Sequence, residues 1–288
     1  MVFAGTSAFA IPSLRELARA GHEVVLVVTQ PDRLGGRGMR LLPSAVKKVA
    51  EELRIDLYQP ERIRSEDAQE RIRELKPDAM IVVAYGQILP ASLIGAPELG
   101  TLNVHASLLP RHRGPAPIEW AILNGDRETG VTIMQMDAGV DTGPILKQRQ
   151  TPIARAETAP ELEARLAALG GALLVETLAA VGQGAIEPTP QSSDGATHAP
   201  RLKAEDGKLD PQTMTAEEID HRVRALAERV GTWMRIKDED VKIFRGHLDG
   251  TPLEGHAVQT REGLYVVDEL QSAGGKRMSA SAWLRGRR

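Results

Sequence analysis

Alternation of apolar runs with helically spaced segments over the first hundred residues restricts this chain more than any other feature. Residues 1–4, 22–29 and 79–84 are short, nearly continuous apolar stretches, the pattern of strands buried on both faces. Behind the turn Gly5-Thr6-Ser7, Ile11, Leu14, Leu17 and Ala18 follow helical spacing. Further helices are expected from about Ser44, carrying Val46, Val49, Ala50 and Leu53, and over 65–75. Strand and helix alternating at this interval predict βαβ units and an α/β, Rossmann-like, largely parallel sheet. Two more strands are expected at 100–105 and 131–136, and a long amphipathic helix over 159–180 closes this domain.

The composition then changes. Residues 182–200 read GQGAIEPTPQSSDGATHAP, a Gly, Pro and Ser signature of a linker. Beyond it a helical segment (216–227) precedes short β-like runs at 233–236, 241–244, 256–260 and 264–267, which predict a small OB-like β-barrel. The expected organisation is therefore a domain at 1–182, a linker at 183–200 and a second domain at 201–288. A length of 288 residues suits two domains. Cysteine is absent, which excludes disulfides, zinc–thiolate sites, iron–sulfur clusters and a Cys nucleophile. No apolar run approaches the ~20 residues of a membrane span, and no basic-then-apolar leader opens the chain. The expectation is a cytoplasmic protein, monomeric, with no membrane association. A formal charge of −3 gives no bulk sign of a polyanionic partner.

Chemistry concentrates in residues 100–146. Asn103 and His105 lie two apart on a predicted strand, so both point to one face. A basic, proline-bounded loop follows, Ser107-Leu108-Leu109-Pro110-Arg111-His112-Arg113-Gly114-Pro115, and a second loop at 137–144 carries Asp137 and Asp141. Asn, His and Asp suffice for acyl transfer without a covalent intermediate. An amide and an imidazolium stabilise an oxyanion, while a carboxylate orients the imidazole. On spacing alone, a structural role is the commoner meaning of an Asn-x-His pair. The remaining histidines (His22, His112, His198, His221, His247 and His256) have no comparable neighbours and read as surface or core residues. No metal-ligand spacing is present.

Longer matches decide between those alternatives. The run N-V-H-A-S-L-L-P-R-H-R-G-P-A-P-I-E-W, continuing to M-D-A-G-V-D-T-G-P-I, resembles the formyltetrahydrofolate-dependent formyltransferase superfamily, and within it the methionyl-tRNA branch. Phe3-Ala4-Gly5-Thr6 with Phe9-Ala10 resembles that family's opening strand and turn. Thr29-Gln30-Pro31-Asp32-Arg33, Gly36-Arg37-Gly38 and Leu42-Pro43-Ser44 resemble its inserted loop. Leu270-Gln271, Ala273-Gly274 and Lys276-Arg277-Met278-Ser279-Ala280 resemble its C-terminal signature.

The resemblance implies transfer of a formyl group from 10-formyltetrahydrofolate, without a metal, to the α-amine of methionyl initiator tRNA. It makes Asn103, His105 and Asp141 the catalytic residues. It maps folate contacts onto Tyr85, Gly86, Gln87, Ile88 and Leu89, onto Ser107, Leu108, Leu109 and Pro110, and onto Asp137, Ala138 and Val140. It also gives meaning to two acid-free basic segments, 33–48 and 274–288, as local phosphate-binding fields. The implied tRNA contacts are Arg33, Arg37, Arg40, Lys276 and Arg277. Two alternatives keep the core but change the acceptor, to a sugar amine or to glycinamide ribonucleotide; a third is a non-catalytic tRNA-binding protein. A dinucleotide oxidoreductase is discounted because no GxGxxG follows the first strand.

Overall fold

A computed structural model describes residues 1–35, 40–248 and 255–286. The chain divides into two compact units, neither of them one stretch of sequence. The first comprises Met1–Gly114, Thr129–Thr151 and Glu163–His198; the second comprises Pro115–Glu128, Pro152–Leu162 and Ala199–Arg288. The segment read as a linker therefore belongs, up to His198, to the first unit.

Among the described residues, nine strands lie in the first part of the chain: β1 (Val2–Gly5), β2 (Leu26–Val28), β3 (Arg33–Gly35), β4 (Arg40–Leu42), β5 (Leu57–Tyr58), β6 (Met80–Val83), β7 (Thr101–His105), β8 (Glu128–Gln135) and β9 (Ile145–Pro152). Seven of them form one sheet in the order β5-β2-β1-β6-β7-β8-β9, and β3 with β4 makes a separate antiparallel ribbon. The first five sheet strands are mutually parallel, and β8 runs antiparallel to β7. Every residue of β1 and β6 is buried, as expected for strands covered on both faces. The helices α1 (Ile11–Arg19), α2 (Ala45–Glu52) and α3 (Glu66–Glu74) fall where periodicity puts them. Ser44 caps α2, its hydroxyl accepting from the Lys47 amide. β5 and β9 carry little periodic signal: one has two residues, and the other, ILKQRQTP, is a half-exposed edge strand with a polar sequence. A short α4 (Ala91–Ile94) also went unsignalled.

One expectation changes. Helix α6, following α5 (Pro117–Leu123), spans Ala159–Gly182 and is by length and composition long and apolar enough to cross a membrane, with a mean hydropathy of 1.6 in its most apolar stretch. Its Leu166, Ala167, Leu173, Leu174 and Leu178 are nonetheless buried. Gly170 lets it approach the sheet, since a Cβ there would lie 2.8 Å from Val104 Cγ1. Its apolar composition is that of a core helix.

The second unit holds α7 (Ala216–Leu226), β10 (Thr232–Ile236), β11 (Glu239–Leu248), β12 (His256–Gln259), β13 (Leu264–Ser272), β14 (Met278–Ser279) and α8 (Ala280–Arg285). Its strands pair in the antiparallel order β10-β11-β13-β12, with β14 on β13. This path stays open among the described residues, so the OB-like expectation resolves into a half-barrel. A register shift at Arg245 bends β11. Alternation in β10 buries Thr232, Met234 and Ile236 and turns Trp233 and Arg235 outward. The buried set packs with Ile219, Val223, Val241, Ile243, Tyr265, Leu270 and Trp283. Thr215 and Glu218 close a reciprocal capping box at the start of α7, and α5 packs within this unit rather than the first.

Candidate active site

The polar centre of the first unit forms along β7. His105 is only 6 % exposed, and Val104 between it and Asn103 turns to the opposite face and is buried. In the β7–β8 pairing Asn103 stands opposite Met134 and His105 opposite Thr132. The loop after Gln135 therefore folds back along β7 to bring Asp141 to both residues. Asp141 Oδ1 lies 3.4 Å from the Asn103 amide nitrogen, which donates to it, and 3.6 Å from His105 Nδ1. Asp141 Oδ2 accepts from the Gly114 amide at 2.8 Å. His105 Nε2 lies 2.9 Å from the His112 carbonyl oxygen. A carbonyl only accepts, so Nε2 carries a proton here. A second proton on Nδ1 gives an imidazolium bracketed by the His112 carbonyl and the Asp141 carboxylate. The three residues expected from sequence thus converge on one point.

The surrounding loops are braced by side chains. Thr132 Oγ1 donates to the Ser107 carbonyl and accepts from the Leu109 amide and from Gln148 Nε2, which also donates to the Leu109 carbonyl. Ser107 Oγ donates to the Arg111 carbonyl, and the Leu109–Pro110 peptide is cis. Asp137 accepts from the Gly139 amide and the Thr142 hydroxyl, so its carboxylate shapes its own loop. Gly143 admits no larger residue, because a Cβ there would lie 1.8 Å from the Gln135 carbonyl oxygen.

Among the expected folate residues, side chains divide into two groups. Because β6 and β7 are parallel, with Val82 beside Asn103, the segment at 84–89 leaves the sheet at the same end as His105. Tyr85 (1 % exposed) and Leu89 turn into the core with Val2, Ala4, Leu26 and Ile63, so their side chains are packing residues rather than ligand contacts. Burial pushes the Tyr85 phenol up to about 12, and its oxygen has no hydrogen-bond partner among the described residues. Gln87 is a brace, accepting from the Ile63 amide and donating to the Glu61 carbonyl. Gly86 takes a left-handed φ of 84° against Gln30, whose amide donates to the Tyr85 carbonyl. Ser107 and Leu109 are buried; Leu108 and Pro110 are half-buried, and Ala138 is exposed. Ile88 and Val140, at 67 % and 63 % exposed, present apolar surface to solvent.

The basic residues also divide. Arg33 and Arg40 are exposed on the β3–β4 ribbon, and Arg33 donates to Gln30. Arg37 lies outside the described residues. Lys47 is paired at 2.7 Å with Asp32, just before the acid-free segment begins, and this hydrogen bond with that of Gln59 holds the Asp32 carboxyl below its usual range. Lys276 is exposed. Arg277 is committed within its own unit to Glu269 at 2.6 Å and Glu228 at 2.8 Å, and it stacks over the Phe244 ring. Among the described residues of these segments, Lys47 and Arg277 are therefore balanced by folding. No cluster of three or more His, Cys, Asp or Glu residues suited to a metal ion occurs among the described residues.

Sequence reasoning missed Gln191, whose amide donates to the carbonyls of Asp141 and Gly143 while its oxygen accepts from Arg113. It sits in a Pro- and Ser-rich stretch with no periodicity to single it out.

Comparison with known proteins divides the chain into two contiguous stretches. The sequence profile described as Formyl transferase matches residues 1–178, and that described as Formyl transferase, C-terminal domain matches residues 201–288. A methionyl-tRNA formyltransferase of Halorhodospira halophila is 47% identical over 100% of this chain and 96% of its own length. One of Pelobacter propionicus is 44% identical over 99% of this chain and 92% of its own. In three dimensions the chain is similar to HypX from Aquifex aeolicus in complex with tetrahydrofolic acid, with a TM-score of 0.67 at 19% identity. That match covers 99% of this chain but only 46% of HypX.

Proposed function

The chain belongs to the formyl transferase family, and from that premise we propose that it moves the formyl group of 10-formyltetrahydrofolate onto the α-amine of methionine esterified to initiator tRNA. The convergence of Asn103, His105 and Asp141 carries the chemistry; relatives matching end to end at 42–47% identity support the acceptor. In this reading residues 1–182 catalyse and 201–288 help to hold the tRNA, with 183–200 joining them, in a cytoplasmic monomer.

The neutral amine adds to the formyl carbon, an oxyanion develops, and the bond from that carbon to the folate nitrogen breaks. That nitrogen gains the proton which the amine loses. Asn103 carries two amide hydrogens; the Asp141 contact uses one, and the other serves the oxyanion. His105 as imidazolium adds a fixed positive charge beside it. Asp141 holds that charge in place and relays the amine proton through water. Since a formamide is unreactive, alignment of amine and formyl carbon supplies much of the acceleration. The folate fits loops whose backbone groups edge the pterin, with Ile88, Leu108 and Val140 as apolar contacts. Arg33, Arg37, Arg40 and Lys276 contribute to tRNA binding through phosphate contacts.

Incubation with 10-formyltetrahydrofolate and methionyl initiator tRNA should yield formylmethionyl-tRNA. Activity on a sugar amine or glycinamide ribonucleotide, with none on the tRNA, overturns the reading.

A further inference from the structure

We propose that the connector between the two family domains is part of the active site: Gln191 and Thr197 are positioning residues that hold the backbone on either side of the His105–Asp141 pair. The inference rests on the formyl-transfer reading above. It starts from two strained residues. Asp141 (φ 54°) and His112 (φ 59°) are both non-glycine residues in the left-handed region, a conformation disfavoured by the Cβ that persists only where neighbours over-determine it. Asp141 supplies the carboxylate facing His105 Nδ1, and His112 supplies the carbonyl facing Nε2. Each strained residue therefore sets one side of the imidazole.

Each is also held by the same ten-residue strap, residues 189–198. Gln191 Nε2 donates to the Asp141 carbonyl at 2.9 Å and the Gly143 carbonyl at 2.7 Å. Its Oε1 accepts from Arg113 Nε at 3.0 Å and Nη2 at 2.7 Å. All four positions of the amide are used, so its orientation is determined, and so are the two carbonyls it grips. Thr197 Oγ1 accepts from the His112 amide at 2.8 Å, and the Thr197 carbonyl accepts from the Arg113 amide at 2.9 Å. The strap is tied at its start by reciprocal Thr189–Ile145 backbone bonds of 2.7 and 2.8 Å, and at its end by the Arg113–His198 bridge. Gln191 and Thr197 fall between the stretches matched by the two family profiles, 1–178 and 201–288.

Ordinary tethering of the connector predicts something different from positioning. Loss of a tether lowers stability and leaves turnover intact, whereas loss of a positioning contact lowers kcat without changing substrate affinity. The test compares Gln191→Glu, Gln191→Met, Thr197→Val and Thr197→Ser in the full-length protein, on methionyl initiator tRNA and 10-formyltetrahydrofolate. Gln191→Glu keeps the size and the Arg113 partner but sets a carboxylate against two carbonyls. Both Gln191 variants should lose roughly 10- to 100-fold in kcat, as for a catalytic group displaced by an ångström, with both KM values within about twofold. Thr197→Val should lose about threefold to tenfold in kcat, and Thr197→Ser, which restores the acceptor, should return near wild-type turnover. Unchanged kcat in the Gln191 variants, a rise in KM alone, or a serine variant no better than valine overturns the inference. Should the Gln191 variants not fold, the Thr197 pair decides alone. Wild-type protein assayed in parallel separates the two ideas: if it does not formylate the tRNA, the functional reading fails rather than this one.

Discussion

The strand end at Asn103–Asp141 and the basic segments at 33–48 and 274–288 were both picked out from residue types, yet folding treats them differently. At the first, the antiparallel β7–β8 pairing and a two-residue spacing dictate which groups meet, and Asn103, His105 and Asp141 arrive together within 3.6 Å. At the second, charge was counted along the chain, and the fold brings in carboxylates from elsewhere: Asp32 onto Lys47, and Glu228 with Glu269 onto Arg277. Strand register fixes what shares a face. The local sign of the surface depends on carboxylates outside each segment, 8 to 49 positions from the cation they meet, which the segment's own charge count leaves out.

Three measurements test that contrast. The largest effect belongs to the convergent site: His105→Ala or Asp141→Asn should lower kcat by about a thousandfold, with tRNA KM and melting temperature close to wild type. A loss below tenfold removes the residue from the mechanism. An intermediate effect separates the two neighbouring cations. Lys276→Ala should weaken tRNA binding and reduce the slope of log affinity against log salt by about one phosphate contact. Arg277→Ala should leave that slope unchanged and cost about 1 kcal/mol or less of stability, the scale of a partly exposed ion pair. Equal slopes for both variants would show that Arg277, despite its carboxylates, faces phosphate.

The smallest effect concerns Tyr85. Its buried hydroxyl lacks a partner among the described residues, so Tyr85→Phe should leave activity unchanged and raise stability by up to about 1 kcal/mol. The sign of the pH dependence follows from its raised folded pKa of about 12. The unfolded phenol ionises near 10, so wild-type stability is fully present below that and falls as pH rises from about 10 to 12. The phenylalanine variant lacks this component of the loss, which denaturant titrations at pH 9 and 11 measure.

Legibility followed the same physics. The βαβ order, α1 to α3, α7 and the strands β1, β6 and β7 were readable because burial on a fixed face leaves a period in the sequence. β5 and β9 were not, one being two residues long and the other an edge strand whose polar sequence matches its exposure. The helix α6 read as amphipathic although its composition alone would span a membrane. At the site, residue type and resemblance singled out Asn103, His105 and Asp141. They did not tell Tyr85 and Leu89, which pack in the core, from Ile88, which faces solvent. Neither Gln191 nor Thr197 stands out in a stretch composed like a tether.

By itself, then, the sequence determined the layered α/β architecture, the two-part organisation and the groups proposed to do chemistry, because periodic burial and residue chemistry are local properties. Only the tertiary structure decided which charges remain unbalanced on the surface, which loop residues turn inward, and which backbone carbonyls hold the imidazole. Those depend on partners brought from 7 to 85 positions away, as in the His112 carbonyl at His105 and Thr197 at the His112 amide, and residue type and periodicity do not mark such encounters.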